Sequence, residues 1–188
     1  MRALRGYIIL TVSILVFGCS GLEVGQDYDV NTDLSGLNSF AWKSEQQIKT
    51  GDVRVDNPLL DARIRAAVER TLSANGFRKD SGGTPDFAVS YVFQIRKKIG
   101  SERVRTSVGF GVGSSGSFGG VGVNTGGGVS EYDEGMLVID ITDPGSGSLL
   151  WRGTGTRRMP RRSNPEQLTA DVDQTVDRIL KQFPPQPK

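Results

Sequence analysis

The side chains near the N-terminus that could take part in a reaction are a single thiol and the basic groups that precede it. Arg2 and Arg5 precede an apolar run over residues 7–17, and Cys19, the single cysteine of the chain, follows Gly18. A basic start, a short apolar core and a small residue ahead of a cut are typical of a secretory signal peptide. We therefore expect cleavage between Gly18 and Cys19, which makes Cys19 the first residue of the mature protein.

The residues around that cut resemble the lipobox of bacterial lipoproteins. The matching run is Val16-Phe17-Gly18-Cys19. The resemblance implies that the Cys19 thiol takes a diacylglycerol, that the signal peptide 1–18 is removed, and that the new amine is acylated with a fatty acid such as palmitate. Two competing interpretations are a membrane-spanning helix and an ordinary thiol. A span needs about 20 apolar residues, which is more than the run provides, and an ordinary thiol has no reason to occupy the position that processing requires.

The predicted location follows from the lipid. A single acyl chain binds a bilayer marginally, whereas two or more hold it stably, at about 0.8 kcal/mol per buried CH2. Ser20 fits the signals that release lipoproteins to an outer membrane. We expect a membrane anchor on the periplasmic face of the outer membrane, with residues 19–23 as the lipidated N-terminus and a short tether.

Composition excludes several kinds of chemistry. The chain has no histidine, and its one thiol is assigned to the lipid. We therefore expect no transition-metal site, no histidine general base, no thiol nucleophile, no disulfide and no cofactor. The chain holds 23 Lys and Arg against 21 Asp and Glu, and the loss of Arg2 and Arg5 with the signal peptide balances the mature side chains. A neutral domain argues against nucleic acid as a partner.

Carboxylates are the remaining groups that could catalyse a reaction. A glycan-cleaving enzyme needs a facing pair of Asp or Glu side chains. The nearest candidates are Asp86, Glu134 and Asp140. Nothing in their spacing makes them converge, so a carboxylate-dependent periplasmic hydrolase is the less favoured hypothesis, and we expect no enzyme.

Two basic clusters could face acidic lipid or an acidic partner. Their members are Arg96, Lys97, Lys98, Arg103 and Arg105 in the first cluster, and Arg152, Arg157, Arg158, Arg161 and Arg162 in the second. Four residues of the second cluster form the candidate interaction surface: Arg157, Arg158, Arg161 and Arg162. The competing interpretation is that these residues are solvated strand ends and loops.

Two helices are predicted, and both begin in the same way. Asn57-Pro58 and Asn164-Pro165 each place a capping side chain before a proline at the first helical position. The first helix is expected to end at Gly76, in a left-handed C-cap, and the second before Pro184-Pro185. The apolar residues recur at helical spacing, so each helix should bury one stripe: Leu60, Ile64, Ala67, Val68 and Leu72 in the first, and Leu168, Val172, Val176, Ile179, Leu180 and Phe183 in the second.

The strands follow an alternating pattern. Residues 87–95 place apolar side chains on one face, and residues 136–142 and 149–156 flank a turn at 143–147, which predicts an antiparallel hairpin. Shorter strands are expected at 24–30 and 39–43. The element order predicts an α+β fold, a mainly antiparallel β-sheet with two amphipathic helices packed on one face. Trp42 and Trp151 are expected in the core rather than as ligand platforms.

A glycine-rich insertion interrupts this pattern. Residues 107–130 hold ten glycines, which predicts a mobile hairpin or a long loop. A loop of this length inside a compact domain is usually functional or disordered. One alternative function is therefore a small-ligand carrier that this segment gates. The insertion lies within a single predicted α+β domain, residues 24–188.

The mature chain as a whole resembles a bacterial lipoprotein family known as domain-of-unknown-function family 4136. The matching features are Asp27-Tyr28-Asp29, Phe40-Ala41-Trp42, Asn75-Gly76-Phe77, residues 85–89, the glycine tract, residues 134–140, residues 150–153 and Phe183-Pro184-Pro185. The resemblance implies a secreted, usually lipid-anchored α+β domain of unknown activity, and it supplies no catalytic residue. We expect a non-enzymatic structural or binding module of the cell envelope, whose partners are the membrane and other envelope proteins.

Overall fold

A computed structural model describes residues 21–44, 48–101, 129–160 and 164–185. The expected cut and lipid site at Gly18 and Cys19 lie outside the described residues, as do Arg103, Arg105, Arg161 and Arg162. The glycine-rich insertion also lies outside them, apart from residues 129 and 130, which belong to a strand.

The described residues form an α+β fold with one mostly antiparallel sheet. The strands are β1 (Leu22–Tyr28), β2 (Ser39–Trp42), β3 (Arg78–Lys79), β4 (Phe87–Ser101), β5 (Val129–Thr142) and β6 (Leu149–Arg158); the helices are α1 (Pro58–Ala74) and α2 (Pro165–Leu180). The strand order across the sheet is β1-β6-β5-β4-β2-β3. β1 pairs with β6, β6 with β5 and β5 with β4 in antiparallel fashion, whereas β2 is parallel to both β4 and β3.

Both helices begin at the predicted caps. The Asn57 side chain accepts the backbone N–H of Leu60 at 2.9 Å, and the Asn164 side chain accepts that of Gln167 at 2.7 Å. These bonds satisfy donors that a helix N-terminus otherwise leaves free. Gly76 closes α1 with a φ of 96°, a left-handed conformation that glycine adopts without steric cost.

The helices cover one face of the sheet, which we call the helix face. Their buried residues pack with the alternate apolar residues of the strands in one cluster, centred on Phe40, Phe87, Ile139, Trp151 and Ile179. We call the other face of the sheet, which neither α1 nor α2 covers, the uncovered face. It carries the strand residues that alternate with the buried ones. Trp151 is fully buried, as predicted, and Trp42 is half-buried against this cluster.

Three sequence predictions need correction. β1 begins at Leu22 rather than Val24, so the tether before the first strand is shorter than expected. Leu149 lies two residues before Trp151, and strict alternation along the strand predicts that both are buried on one face; Leu149 is instead 47% exposed, because the β5–β6 register shifts between Ile141 and Thr142. β4 continues beyond Ile95 to Ser101 and pairs with β5 throughout.

Among the described residues, no helix is long and apolar enough to cross a membrane.

Candidate functional site: the basic end of the sheet

The two basic clusters of the sequence meet on the uncovered face of the sheet. Strand register places Arg96 of β4 opposite Glu134 of β5, and Glu134 opposite Arg158 of β6. Lys98 reaches the same carboxylate, with 2.8 Å between Lys98 Nζ and Glu134 Oε2. We call Arg96, Lys98 and Arg158, gathered around Glu134, the basic patch. The charge of Glu23 on β1 also acts on Lys98, so three cations face two carboxylates and a smaller excess of positive charge remains.

The members of the basic patch are held in different ways. The Arg158 guanidinium lies 4.6 Å from the centre of the Tyr132 ring, an arrangement that cation–π attraction favours. The bond to Glu134 raises the pKa of Lys98, although partial burial opposes the shift. Arg96 donates to Gln94 Oε1 at 3.2 Å. Because Arg96 and Arg158 are exposed, their charge is open to solvent and to a partner.

Arg157 does not belong to this surface. Adjacent residues of a strand point to opposite faces, so Arg157 lies on the helix face, where its guanidinium is 2.8 Å from the Asp171 carboxylate of α2. It also donates to the Asp171 backbone oxygen at 3.1 Å. The side chains of both residues are only 21% exposed. Of the candidate interaction surface, the structure therefore places Arg158 in the basic patch and Arg157 in a clamp between β6 and α2.

The start of the described chain lies at this same end of the sheet. Leu22, the first residue of β1, is the register partner of Arg157, and Glu23 is that of Thr156. Only Gly21 precedes Leu22 among the described residues. The described chain therefore begins at the end of the sheet that carries the basic patch.

A groove and an apolar cleft lie at this end of the sheet. The groove has a volume of about 610 Å³ and runs between Lys97, Tyr132, Arg158, Met159 and Gln167. Beneath it, Phe93, Leu137, Leu168 and Val172 line an apolar cleft of about 40 Å³. Sites for small molecules usually measure about 300–1,000 Å³. The cleft is too small to hold such a ligand by itself, and the glycine-rich segment of the carrier hypothesis lies outside the described residues, so that hypothesis stays a prediction.

The three candidate carboxylates lie apart, and each has its own partners. Asp86 accepts the backbone N–H groups of Asn38 and Ser39, both at 2.9 Å, and these bonds together with that of the Ser39 hydroxyl lower the pKa of Asp86. Glu134 binds Lys98, and Asp140 binds Arg152. Glu134 and Asp140 are six residues apart on β5, or about 20 Å. Glycan-cleaving pairs are about 5–10 Å apart, so these two carboxylates do not form one.

A second polar site surrounds Trp42. Arg65 lies 4.4 Å from the centre of the Trp42 ring and donates from Nε to Asp61 Oδ1 at 2.9 Å. The indole N–H donates to Glu69 at 2.8 Å. A cavity of about 300 Å³ opens beside Trp42, Arg65 and Tyr91, and Arg65 Nη1 is buried without an acceptor in the described part of the chain. Within those same residues, no group of three or more His, Cys, Asp or Glu side chains could hold a metal ion.

The sequence indicates the residues of the basic patch, but it does not show that the two clusters lie side by side in the sheet. The two clusters are about fifty residues apart in the chain, and only the register through Glu134 joins them. The signal that could have shown it is strand parity, because Arg96, Lys98, Glu134 and Arg158 share the even-numbered face of a continuous antiparallel sheet.

Comparisons with known proteins agree with this fold. A family model described as "Domain of unknown function (DUF4136)" matches residues 24–185. No curated protein matches the chain. A PDZ domain protein from Parabacteroides distasonis is similar in structure, with 13% identity and a TM-score of 0.53 over 88% of this chain and 36% of that one. The chain thus spans about a third of that protein. A PelC dodecamer from Paraburkholderia phytofirmans shows 16% identity and a TM-score of 0.45, covering 85% of this chain and 94% of that one.

Proposed function

The chain belongs to the family of the domain of unknown function DUF4136, and from that premise we propose that it is a lipid-anchored, non-enzymatic module of the cell envelope. Cys19 carries the lipid, residues 1–18 are removed, and the protein lies on the periplasmic face of the outer membrane. Its role is structural or binding, and its anchored end carries the basic patch.

The observation that supports this proposal is the position of Leu22. β1 starts next to Arg157 in the register, so a lipid on Cys19 would hold the basic end of the sheet against the bilayer. Two residues, Ser20 and Gly21, separate Cys19 from Leu22, and the three steps from Cys19 to Leu22 reach about 11 Å at most, at about 3.3–3.6 Å per residue. A tether of this length would hold the basic end of the sheet near the bilayer, where head-group charge acts over the Debye length of about 8–10 Å.

The experiment examines the native protein purified from membranes. Mass spectrometry should find an acylated Cys19 as the first residue, and the Cys19→Ala variant should lose the acyl mass and keep residues 1–18. The matched control Ser20→Ala should remain acylated, because it keeps the thiol. An unmodified N-terminus upstream of Cys19 in the native protein would overturn the proposal.

A further inference from the structure

Within the part of the chain that the structure describes, the sheet has two edges at which strand pairing stops. β1 is the last strand on one side. On the other side β2 pairs with β4 only at Phe87, Ala88 and Val89, whereas β4 runs on to Ser101. From Phe93 onwards, counting only the residues that the structure describes, β4 has a strand partner on its β5 side alone. Such an edge presents unpaired backbone groups that can pair with another strand.

The backbone groups that face outward from β4 can be identified. The Val89 carbonyl accepts the Lys43 N–H at 2.8 Å, so the backbone of Val89 faces the β2 side. The register with β5 continues without a shift from Ala88 to Ser101, and alternate residues therefore keep the same direction. The outward N–H and C=O groups belong to Phe93, Ile95, Lys97 and Ile99.

The side chains of the two edges are complementary. On the outer part of β4, the helix face carries Ile95, Lys97 and Ile99, of which Ile99 is 72% exposed, and the uncovered face carries Arg96 and Lys98. β1 carries the opposite charge on its uncovered face. Its helix face carries the apolar residues Leu22 and Val24, and its uncovered face carries the exposed acids Glu23 and Asp27.

Strand directions allow these edges to meet between copies of the chain. β1 and β4 run in opposite directions, because each step from β1 through β6 and β5 to β4 is antiparallel. A second copy in the same orientation can therefore add its β1 antiparallel to β4 and keep its helices on the same side of the sheet. Matching the faces allows the register that places Leu22 opposite Ile99 and Glu23 opposite Lys98.

We propose that the chain associates with itself head to tail, with β1 of one copy extending the sheet at the outer part of β4 of the next. Pairing of like edges is disfavoured, because β4 against β4 would gather Arg96 and Lys98 of both copies, and β1 against β1 would gather their acids. A contact between two different edges repeats into a ring or a filament. In this arrangement every N-terminus points the same way, but the inference does not rest on the lipid.

Cysteine crosslinking tests the contact directly. Glu23→Cys and Lys98→Cys are made separately in the full-length chain with Cys19→Ala, so that each variant has one thiol. Facing residues on paired strands have the short Cβ separation that a disulfide requires. We expect a disulfide dimer when the two variants are mixed, at least tenfold more abundant than with either variant alone. Dimers of Lys98→Cys alone would overturn the head-to-tail contact, and so would a mixture that stays uncrosslinked.

Charge reversal separates this contact from nonspecific association. Glu23→Lys and Lys98→Glu should each weaken self-association at least tenfold in analytical ultracentrifugation, and the double variant should restore it, since the two charges are exchanged. Glu166→Lys, at an exposed acid of α2 that belongs to neither β1 nor β4, should leave it unchanged. A chain that stays monomeric at all concentrations would overturn the proposal and leave the β4 edge to a strand from another protein.

Discussion

Asp140 and Arg152 face each other across the β5–β6 hairpin, and the Arg152 guanidinium donates two hydrogen bonds of 2.7 Å, one to each oxygen of the Asp140 carboxylate. The two residues are register partners on the uncovered face. Sequence parity predicts this pair, because burying Leu137, Ile139 and Trp151 turns the residues between them to the other face. The paired geometry raises the pKa of Arg152, first through the hydrogen bonds and then through the charge of Asp140.

A double-mutant cycle should measure the strength of this pair. Arg152→Ala, Asp140→Ala and the double variant should show a coupling of about 0.2–1 kcal/mol in urea unfolding, the range for cross-strand ion pairs. The matched control is Lys97 and Glu131, whose charged atoms are 3.8 Å apart and whose side chains are 73% and 65% exposed. We expect no coupling there. Equal coupling in the two pairs would contradict the argument from geometry.

Gly153 should be the least replaceable residue of β6. A Cβ at this position would meet the Trp151 ring and Ile179, both fully buried, so Gly153→Ala forces α2 away from the sheet. We expect a loss of about 1–3 kcal/mol in the free energy of unfolding. A Cβ at Gly25, on the neighbouring strand β1, meets nothing within 4 Å. Calorimetry of Gly25→Ala should therefore show no comparable loss, and equal losses would refute this account of the packing.

Ionisation of Asp86 should make the stability of the fold depend on pH in the acidic range. Its folded pKa is lowered, chiefly by the backbone N–H groups of Asn38 and Ser39 and by the Ser39 hydroxyl. A lowered folded pKa means that the stabilisation is complete above the unfolded value, about 3.9, and disappears as the pH falls through the folded value. The melting temperature of Asp86→Asn should thus lie below that of the wild type at pH 7, and the difference should shrink below pH 4. A difference that stays constant down to pH 2 would show that ionisation is not its source.

Local patterns predict most of the elements but not the long-range pairing. The caps at Asn57 and Asn164 and the turn after Thr142 are local signals, and the structure confirms them. The parallel pairing of β2 with β4 joins residues nearly fifty positions apart, and periodicity carries no information about such partners. β3 has only two residues, too few for any periodic signal.

The site shows the same limit. The sequence shows two clusters of basic residues. Whether a cluster forms an exposed surface depends on the face of the sheet to which each side chain points and on the residue paired with it. Arg157 and Arg158 are neighbours in sequence, yet the first is bound to Asp171 and the second lies over Tyr132. The exposure of Leu149 follows from a register shift near the turn, which an ideal alternation does not contain.

The depth of two positions above the membrane tests the central claim most directly. A fluorophore is attached at Arg158→Cys, in the basic patch, or at Ser146→Cys, in the exposed turn at the other end of the hairpin, and energy transfer to acceptors in the bilayer is measured on the lipidated protein. β6 has ten residues, so the two labels are separated by about 30 Å along the strand direction. The account predicts that the label at residue 158 lies within about 15 Å of the head groups and the label at residue 146 far beyond it. Equal depths, or a closer label at residue 146, would contradict a domain held at the bilayer by its basic end.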